Sequence, residues 1–252
     1  MIWQQLRSEA EKNLTGPLAL WLKRSVLDRS DLADSLSVML SEKMSGLEIS
    51  ASDMASMLKA CFDQKGISDA IVQDLLAIQN RDPAASGLLA PYLFFKGFHA
   101  LQTYRAAHHF WQLGDSFFAL FLQSQMSRAF GVDIHPAAQI GCGILLDHAT
   151  GVVIGETAVI EDNVSMLHEV TLGGTGKEHF DRHPKVRSGV LIGSGAKILG
   201  NIEIGTNAKV GAGSVVLHSV APCTTVAGVP AKEVGRCKEA VPATEMNQNI
   251  EG

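Results

Sequence analysis

The spacing of apolar residues changes near residue 130 and divides the chain into two parts. Before that point apolar side chains recur every three or four positions, for example at Leu32, Leu36 and Met39, which is the spacing of one face of an α-helix. The stretch Arg81-Asp82-Pro83 is a plausible break between two such helices, because proline disfavours a continuing helix before it. We therefore predict an all-helical domain over residues 1–130.

From Ile134 the aliphatic residues recur at every sixth position instead. The repeat runs in three blocks, separated by a two-residue slip and a longer interruption: Ile134, Ile140 and Leu146; Ile154, Ile160, Met166 and Leu172; Val186, Ile192, Ile198, Ile204, Val210 and Val216. A period of six is typical of a parallel β-helix, in which stacked coils of short strands and turns bury a continuous core. We predict a parallel β-helix over residues 131–235 and an α+β fold class for the whole chain.

The longer interruption, residues 173–185, overlaps the glycine-rich text TLGGTGKEHFDRHP, which runs from Thr171 to Pro184. A phosphate-binding P-loop would need glycine where Thr171 stands and serine or threonine where Glu178 stands, so both ends of that motif fail. We predict instead that this segment loops out of the β-helix as its one excursion. An excursion on a regular scaffold is where function is usually carried.

Composition excludes several classes of protein. The net charge of −5 and the pI near 6.0 give no basic field for nucleic acid or an anionic membrane surface. No long uncharged apolar stretch or signal peptide is visible, so we expect a cytoplasmic protein. The four cysteines form no CxxC pair and are expected to be free thiols. Residues 236–252 are polar and without period, which predicts a flexible C-terminal tail.

Histidine is the side chain that most readily accepts a proton near neutral pH. His148 stands two positions after an inward Leu146, so we expect it to point outward from the β-helix. Four further polar residues are expected on the same stretch of surface, and together with His148 they form a candidate acid/base site: Asp133, Asp147, Arg182 and His183.

Two other residues have more than one interpretation. Asp82, in a helix break before proline, fits a turn or a helix cap. His168 occupies the repeat position of His148 one coil later, and stacked imidazoles on successive coils can bind zinc. Two exposed histidines without a third ligand are more often incidental.

Eight stretches of the sequence, in the order of a known family, resemble the serine acetyltransferases of bacteria and plants: RDPA, FKGFHALQTYR, VDIHPAAQIG, LDHATGVVIGETAVI, TLGGTGK, DRHPKV, GAKILGNIEIG and VAGVPAK. They span about residues 80–232. The resemblance implies that the β-helix of hexapeptide repeats is left-handed. It also implies transfer of an acetyl group from acetyl-CoA to the hydroxyl of L-serine, the first step of cysteine biosynthesis, with no metal. L-cysteine is implied as feedback inhibitor, and a trimer or a dimer of trimers as the homo-oligomer.

The resemblance also implies roles for particular residues. His148 would be the general base and Asp133 its orienting partner; Asp82 and Asp147 would hold the serine ammonium, and Arg182 with His183 its carboxylate. Acetyl-CoA would lie near Gly174, Thr175, Ser194 and Ala212, where Ser194 replaces an alanine common in the family. Two alternatives stay open: a hexapeptide acetyltransferase with another hydroxyl or amine acceptor, and a zinc enzyme of the carbonic anhydrase type that uses His148 and His168.

In this family a C-terminal isoleucine docks into the partner O-acetylserine sulfhydrylase. This sequence ends Ile250-Glu251-Gly252, so its last carboxylate belongs to glycine. We therefore expect weakened binding of that partner.

Overall fold

A computed structural model describes residues 1–176 and 179–250 of the chain. The first part is helical: α1 (Ile2–Lys12), α2 (Ala19–Leu22), a π-helical turn (Lys23–Leu27), α3 (Leu32–Met44), α4 (Ala51–Phe62), α5 (Lys65–Arg81), α6 (Leu89–Phe94), α7 (Lys96–Gln112) and α8 (Ser116–Phe130). Across the part of the chain that is described, no helix combines the length and the apolar character needed to cross a membrane.

Local chemistry explains where several of these helices begin and end. Asp31, Ser50 and Asp115 each accept a hydrogen bond from a backbone N–H in the first turn of α3, α4 and α8, which satisfies one of the donors that a helix start leaves unpaired. Helix α8 ends at Gly131, whose φ of 66° is the left-handed conformation that glycine adopts freely. The chain thereby turns from helix into the first strand within three residues.

The second part is built from short strands: β1 (Asp133–Ile134), β2 (Gln139–Ile140), β3 (Leu145–Leu146), β4 (Val153–Ile154), β5 (Val159–Ile160), β6 (Ser165–Met166), β7 (Thr171–Gly173), β8 (Lys185–Val186), β9 (Leu191–Ile192), β10 (Lys197–Leu199), β11 (Glu203–Ile204), β12 (Lys209–Val210), β13 (Val215–Val216), β14 (Thr224–Gly228) and β15 (Ala231–Arg236). They form three parallel sheets in the orders β1-β4-β7-β10-β13, β2-β5-β8-β11 and β3-β6-β9-β12-β14, with β15 added antiparallel to β14. We call these sheets faces 1, 2 and 3. Each coil contributes one strand to each face, so the faces enclose a three-sided prism.

The pattern of six places the core of this prism correctly. Leu146, Met166, Ile192 and Val210 stand in register on face 3, and every residue of the predicted series except the half-buried Ile140 is buried. The predicted helical domain followed by a parallel β-helix is confirmed. The interruption lies between β7 and β8, where faces 1 and 2 meet; Lys177 and Glu178 within it lie outside the described residues.

A buried ion pair joins the helical part to the prism. Asp74 of α5 pairs with Arg105 of α7 at 2.7 Å and accepts a hydrogen bond from the backbone N–H of Ile144 at 3.0 Å. Arg105 in turn donates to the carbonyl of Gly141 at 2.7 Å. Because breaking one partner of a buried pair strands the other charge, this cluster fixes α5 and α7 against the corner between faces 2 and 3.

The C-terminal segment lies along the prism, which differs from the expected free tail. A short helix, α9 (Pro242–Glu245), contains the fully buried Ala243, whose carbonyl accepts a hydrogen bond from Ser165 at 2.7 Å. Lys209 pairs with Glu239 at 3.2 Å and donates to the carbonyl of Asn249 at 3.1 Å. These contacts use backbone carbonyls and one ion pair, so a hydropathy pattern does not record them. Glu251 and Gly252 lie outside the described residues.

Candidate active site

The corner between faces 3 and 1, here the 3–1 corner, is enlarged in one coil. Six residues, 147–152, connect β3 to β4, whereas four residues connect β6 to β7. His148 and Ala149 adopt φ values of 55° and 60°, a conformation that is strained for residues other than glycine and costs on the order of 1–3 kcal/mol each. Ala149 is fully buried, while the His148 side chain is 73% exposed. The two-residue slip in the sequence thus presents an imidazole on the outside of the prism, as predicted.

Two carboxylates share a cavity of about 1040 Å³ with His148. The cavity lies between the 3–1 corner, the end of α5, the start of α7 and α9. The Asp147 carboxylate is 3.8 Å from Nε2 of His148. Burial raises the pKa of Asp147, and the neighbouring Asp82 charge adds to that rise whereas His148 opposes it. Two carboxylates that line one cavity and whose charges interact favour a cation between them. Within residues 1–176 and 179–250, no lysine or arginine forms an ion pair with either carboxylate.

Asp82 also has the structural role that its sequence context suggested. It follows the last residue of α5, and one carboxylate oxygen accepts a hydrogen bond from the N–H of Ala84 at 2.8 Å. The turn therefore fixes the side chain that faces the cavity. The structural and functional interpretations of Asp82 are compatible, because a carboxylate has a second oxygen to offer.

A second imidazole stands beside the first. The rings of His148 and His168 are 5.8 Å apart between centroids and nearly perpendicular, and Nδ1 of His168 is buried without a hydrogen-bond partner among the described residues. Within the same described ranges, no group of three histidine, cysteine, aspartate or glutamate side chains is placed to hold a metal ion. The pair thus lacks the third protein ligand that a catalytic zinc site needs.

The position of His148 repeats down the 3–1 corner. Because face 3 keeps its register, His148, His168, Ser194 and Ala212 occupy equivalent places in successive coils. Gly195 donates to the carbonyl of His168 at 2.9 Å and Gly213 to that of Ser194 at 2.7 Å. A ladder of backbone with small side chains therefore leads away from the two imidazoles.

Arg182 and His183 lie at a different corner, between faces 1 and 2, here the 1–2 corner. Arg182 pairs with Glu156 at 2.6 Å, and its backbone N–H donates to the Thr157 hydroxyl at 3.0 Å. The pKa of Glu156 is lowered chiefly by its hydrogen bond to Arg182. Sequence reasoning missed Glu156, although it lies in the quoted stretch LDHATGVVIGETAVI and no spacing rule marks it as a partner of Arg182.

His183 is held in one orientation at this corner. It is 7% exposed, and its Nδ1 accepts a hydrogen bond from the N–H of Thr157 at 3.1 Å. Burial, followed by the charge of Arg182, lowers the pKa of His183. The ring is therefore neutral at pH 7 with its proton on Nε2, which makes Nε2 a donor. Gly155 leaves room for this ring, because a Cβ there would lie 2.1 Å from Nε2.

Two of the residues expected near the cosubstrate belong to the 1–2 corner as well. A Cβ on Gly174 would lie 3.5 Å from Cγ of Arg182, and both residues line a cavity of about 440 Å³. The Thr175 methyl group lies beside Gly200.

Asp133 is not joined to His148 by a hydrogen bond within residues 1–176 and 179–250. It begins face 1, in register with Val153, and accepts a hydrogen bond from the Gln123 amide at 2.6 Å. The other predicted residues form two sets, one at each corner: Asp82, Asp147, His148, Ser194 and Ala212 at the 3–1 corner; Gly174, Thr175, Arg182 and His183 at the 1–2 corner. The expectation of one continuous surface on a single chain is therefore wrong, because the strands that carry the two sets enter and leave face 1 at opposite edges.

Comparison with known proteins gives the class first. Residues 183–218 match the family model described as "Bacterial transferase hexapeptide (six repeats)", and residues 2–103 match "Serine acetyltransferase, N-terminal". The prism with its histidine-bearing corner is thus that of a hexapeptide-repeat transferase. A serine acetyltransferase of Salmonella typhimurium is 48% identical over 256 residues, covering 100% of this chain and 93% of the relative. The chain belongs to the serine acetyltransferase family, which confirms the resemblance seen in the motifs.

Solved structures agree with this assignment. A serine acetyltransferase from Vibrio cholerae is 49% identical with a TM-score of 0.97, covering 100% of this chain and 98% of that one. One from Brucella abortus in complex with coenzyme A is 47% identical with a TM-score of 0.91, covering 94% and 96%. A soybean enzyme complexed with serine is 49% identical (TM-score 0.90, covering 92% and 97%), and a further serine acetyltransferase in complex with cysteine is 48% identical (TM-score 0.95, covering 98% and 98%).

Proposed function

We propose that this chain transfers the acetyl group of acetyl-CoA to the hydroxyl of L-serine, giving O-acetyl-L-serine and CoA as the first step of cysteine biosynthesis. Membership of the family and its relatives bound to coenzyme A and serine support the activity. The observation on this chain that carries it is the exposed His148 beside the carboxylates of Asp82 and Asp147. An imidazole that can take a hydroxyl proton next to an anionic pair suits an acceptor with both a hydroxyl and an ammonium group.

In this mechanism neutral His148 removes the hydroxyl proton as the serine oxygen attacks the thioester carbonyl. A tetrahedral oxyanion forms; it collapses with loss of the CoA thiolate, which takes the proton back from the imidazolium. A positioned base of this kind typically contributes about 10² to 10⁴ in rate. By the family resemblance Asp133 orients His148. Among the described residues of one chain, Asp133 lies at the start of face 1 and forms no hydrogen bond to His148.

The other groups bind and orient the acceptor. Asp82 and Asp147 hold the ammonium, while the Arg182 guanidinium and the Nε2–H of His183 donate to the carboxylate. Gly174, Thr175, Ser194 and Ala212 are proposed to lie along acetyl-CoA, where backbone groups and small side chains admit its chain. An assay of acetyl-CoA with L-serine, L-homoserine and hexoses tests the acceptor; preference for a hexose would refute the proposal.

We propose that the complete site forms between two copies of the chain. Arg182 and His183 of one copy would face Asp82, Asp147 and His148 of the next, so that the groove between two prisms holds both substrates. Joining the 1–2 corner of each copy to the 3–1 corner of the next is a head-to-tail contact, and such a contact forms a ring when the rotation between copies closes. A three-sided prism favours a trimer, and a trimer or a dimer of trimers was the expected assembly.

Mixing two impaired variants, assayed at a serine concentration well below KM where both are slow, tests this assembly directly. His148→Ala retains an intact 1–2 corner, and Arg182→Ala retains an intact 3–1 corner. After the chains are unfolded and refolded together in equal amounts, about a quarter of the sites should combine the two intact corners. Activity near a quarter of wild type supports a shared site. A mixture no more active than the mean of the two separate variants would place the whole site within one chain.

The remaining expectations of the sequence are proposals of the same kind. We propose that the coil is left-handed, that the protein acts in the cytoplasm, and that L-cysteine inhibits by occupying the serine site. The relative in complex with cysteine supports the last of these. Weak binding of O-acetylserine sulfhydrylase stays a prediction, since it depends on residues after Ile250 that lie outside the described part.

A further inference from the structure

Two helices of equal length begin with the same dipeptide. Helices α5 and α7 each have 17 residues, and they open with Lys65-Gly66 and Lys96-Gly97. A Cβ added to Gly66 would meet nothing within 4 Å. The glycine at the start of α5 is therefore not required by close packing. This helix start can serve as a reference for the start of α7.

Gly97 lies directly against the backbone that leads into the enlarged corner. A Cβ on Gly97 would be 2.0 Å from the carbonyl oxygen of Leu146, and 3.2 Å from the Cβ of Ala149. Such distances are far inside van der Waals contact, and two of the three nearest atoms are backbone atoms that no side-chain rotation can move away. The first turn of α7 thus packs on both sides of Asp147 and His148 at a closeness that only glycine allows.

Lys96 contacts the other end of the same corner. Its ammonium group donates a hydrogen bond to the hydroxyl of Thr150, two residues after His148. The Lys65 side chain instead pairs with Asp69 on its own helix at 2.6 Å. Lys96 is therefore a tether between the helical domain and the prism, whereas Lys65 is an ordinary exposed helix residue.

The ends of the corner are bonded to neighbouring backbone, since the Asp147 N–H donates to the Met166 carbonyl at 2.8 Å and the Thr150 carbonyl accepts from the Glu169 N–H at 2.7 Å, but the tip at His148 and Ala149 has only local hydrogen bonds. Ala149 donates to the carbonyl of Asp147 at 2.6 Å and Thr150 to that of His148 at 2.8 Å, both over only two residues. His148 and Ala149 hold left-handed φ values, which persist only where the surroundings determine them. Around the exposed His148 side chain, the His168 ring and the Asp147 carboxylate are the neighbours described above, and neither encloses it.

We propose that the Lys96-Gly97 turn is a positioning element for the general base. Gly97 sets the distance between α7 and the corner, and the Lys96–Thr150 hydrogen bond fixes the far end of the corner. Both residues line the cavity beside His148, and they act through the corner and not by binding a substrate. The inference rests on the proposed role of His148. It predicts effects on kcat and not on substrate binding, because misplacing a base by a fraction of an ångström slows proton transfer while leaving the ammonium and carboxylate contacts in place.

The experiment compares matched variants at the two helix starts in the full-length protein. Lys96→Met and Thr150→Val remove the donor and the acceptor of one hydrogen bond, Lys96→Arg restores a donor, and Lys65→Met is the control. We expect the first two to lower kcat about three- to tenfold, as for one charge-assisted but solvent-exposed hydrogen bond. KM for serine and acetyl-CoA should stay within about twofold, and the double variant should be no slower than either single one. Lys96→Arg and Lys65→Met should stay near wild type.

Gly97→Ala tests the close contact, with Gly66→Ala as its control. The clash with the Leu146 carbonyl should lower kcat about 10²-fold, whereas Gly66→Ala should leave kcat unchanged. Thermal unfolding shows whether Gly97→Ala is folded; should it not fold, the Lys96 and Thr150 variants decide alone.

Two further measurements separate the possible causes. In the pH profile of kcat/KM, loss of positioning lowers the plateau and leaves the acid limb in place. A moved acid limb with an unchanged plateau would mean that the Lys96 charge acts on the imidazole, and it would overturn the proposal. So would a raised serine KM in Lys96→Met with a normal Thr150→Val, since that result marks a direct substrate contact.

Amide hydrogen exchange of residues 147–152 gives a readout that does not depend on the role of His148. Faster exchange in Lys96→Met and Thr150→Val supports the tether even if His148→Ala were to stay active, an outcome that would refute the proposed general base alone. Unchanged exchange together with unchanged kcat refutes the positioning element.

Discussion

Lowering the pH should destabilise the protein through one buried histidine, His99 of α7. Its ring is 1% exposed; Nε2 contacts the carbonyl of Tyr92 at 2.8 Å, and Nδ1 has no partner among the described residues. A neutral ring with its proton on Nε2 satisfies the first contact. Protonation would add a charge and an unpaired N–H in a dry site, so burial, helped by the charge of Lys43, lowers the pKa of His99 from 6.5 to about 4.

The sign and size of the effect follow from linkage. An unfolded chain binds this proton near pH 6.5, while the folded protein resists it until about pH 4, so the unfolded state gains protons first as pH falls. The free energy of unfolding is therefore unaffected by His99 above pH 6.5 and decreases between pH 6.5 and 4. At about 1.4 kcal/mol per pH unit, the full loss is about 3 kcal/mol.

Urea unfolding at a fixed protein concentration, at pH 7.5, 6.5, 5.5 and 4.5, measures this loss. Acidic residues also titrate in the range, so the comparison is with His99→Gln, whose amide can still donate to Tyr92 but does not titrate. By pH 4.5 wild type should have lost about 2–3 kcal/mol more than this variant. His218→Gln, at an exposed position, is the control and should follow wild type. Parallel pH curves for wild type and His99→Gln would refute the reasoning.

Three predictions concern the proposed site. His148→Ala should lower kcat by about 10² to 10⁴ with the fold intact, because the side chain is exposed; circular dichroism and initial rates check it, and more than a tenth of wild-type kcat would contradict it. Arg182→Ala should raise serine KM and weaken cysteine inhibition by about tenfold or more, for a lost contact of about 1.5–3 kcal/mol; unchanged values for both ligands place the carboxylate elsewhere. Glu156→Gln should raise serine KM by a smaller factor, since the amide retains the shape but not the charge that holds Arg182, and acetyl-CoA KM serves as its internal control.

The scaffold can be predicted from the sequence because the scaffold is repetitive. Each coil needs an aliphatic residue inside a narrow prism. Inward residues such as Ile154 and Ile192 can therefore be found in the sequence from their spacing. The outward direction of His148 follows from the same count. The two-residue slip that enlarges its corner is visible in the sequence as a break in the period of six.

The contacts between elements cannot be read in this way. The pairing of Glu156 with Arg182 joins residues 26 positions apart, and the contact of Lys96 with Thr150 joins residues 54 apart. No rule of sequence spacing predicts either contact, because an excursion of irregular length or a domain junction lies between the two residues. The division of the site between two corners is likewise a property of the three-sided cross-section, which a one-dimensional period does not contain.

The equivalent positions at the 3–1 corner define a fixed length along the axis of the prism. Neighbouring strands in a sheet are about 4.8 Å apart, so the three steps from His148 to Ala212 span about 14 Å. A thioester whose carbonyl lies at His148 can reach Ala212 only if its carrier extends over that length. An acetyl thioester with a short carrier would reach the same base but would not contact the coils that follow it along the prism. On the proposed course of acetyl-CoA along these positions, the number of coils beyond His148 sets how much of the acyl carrier the protein contacts, independently of the chemistry at its end.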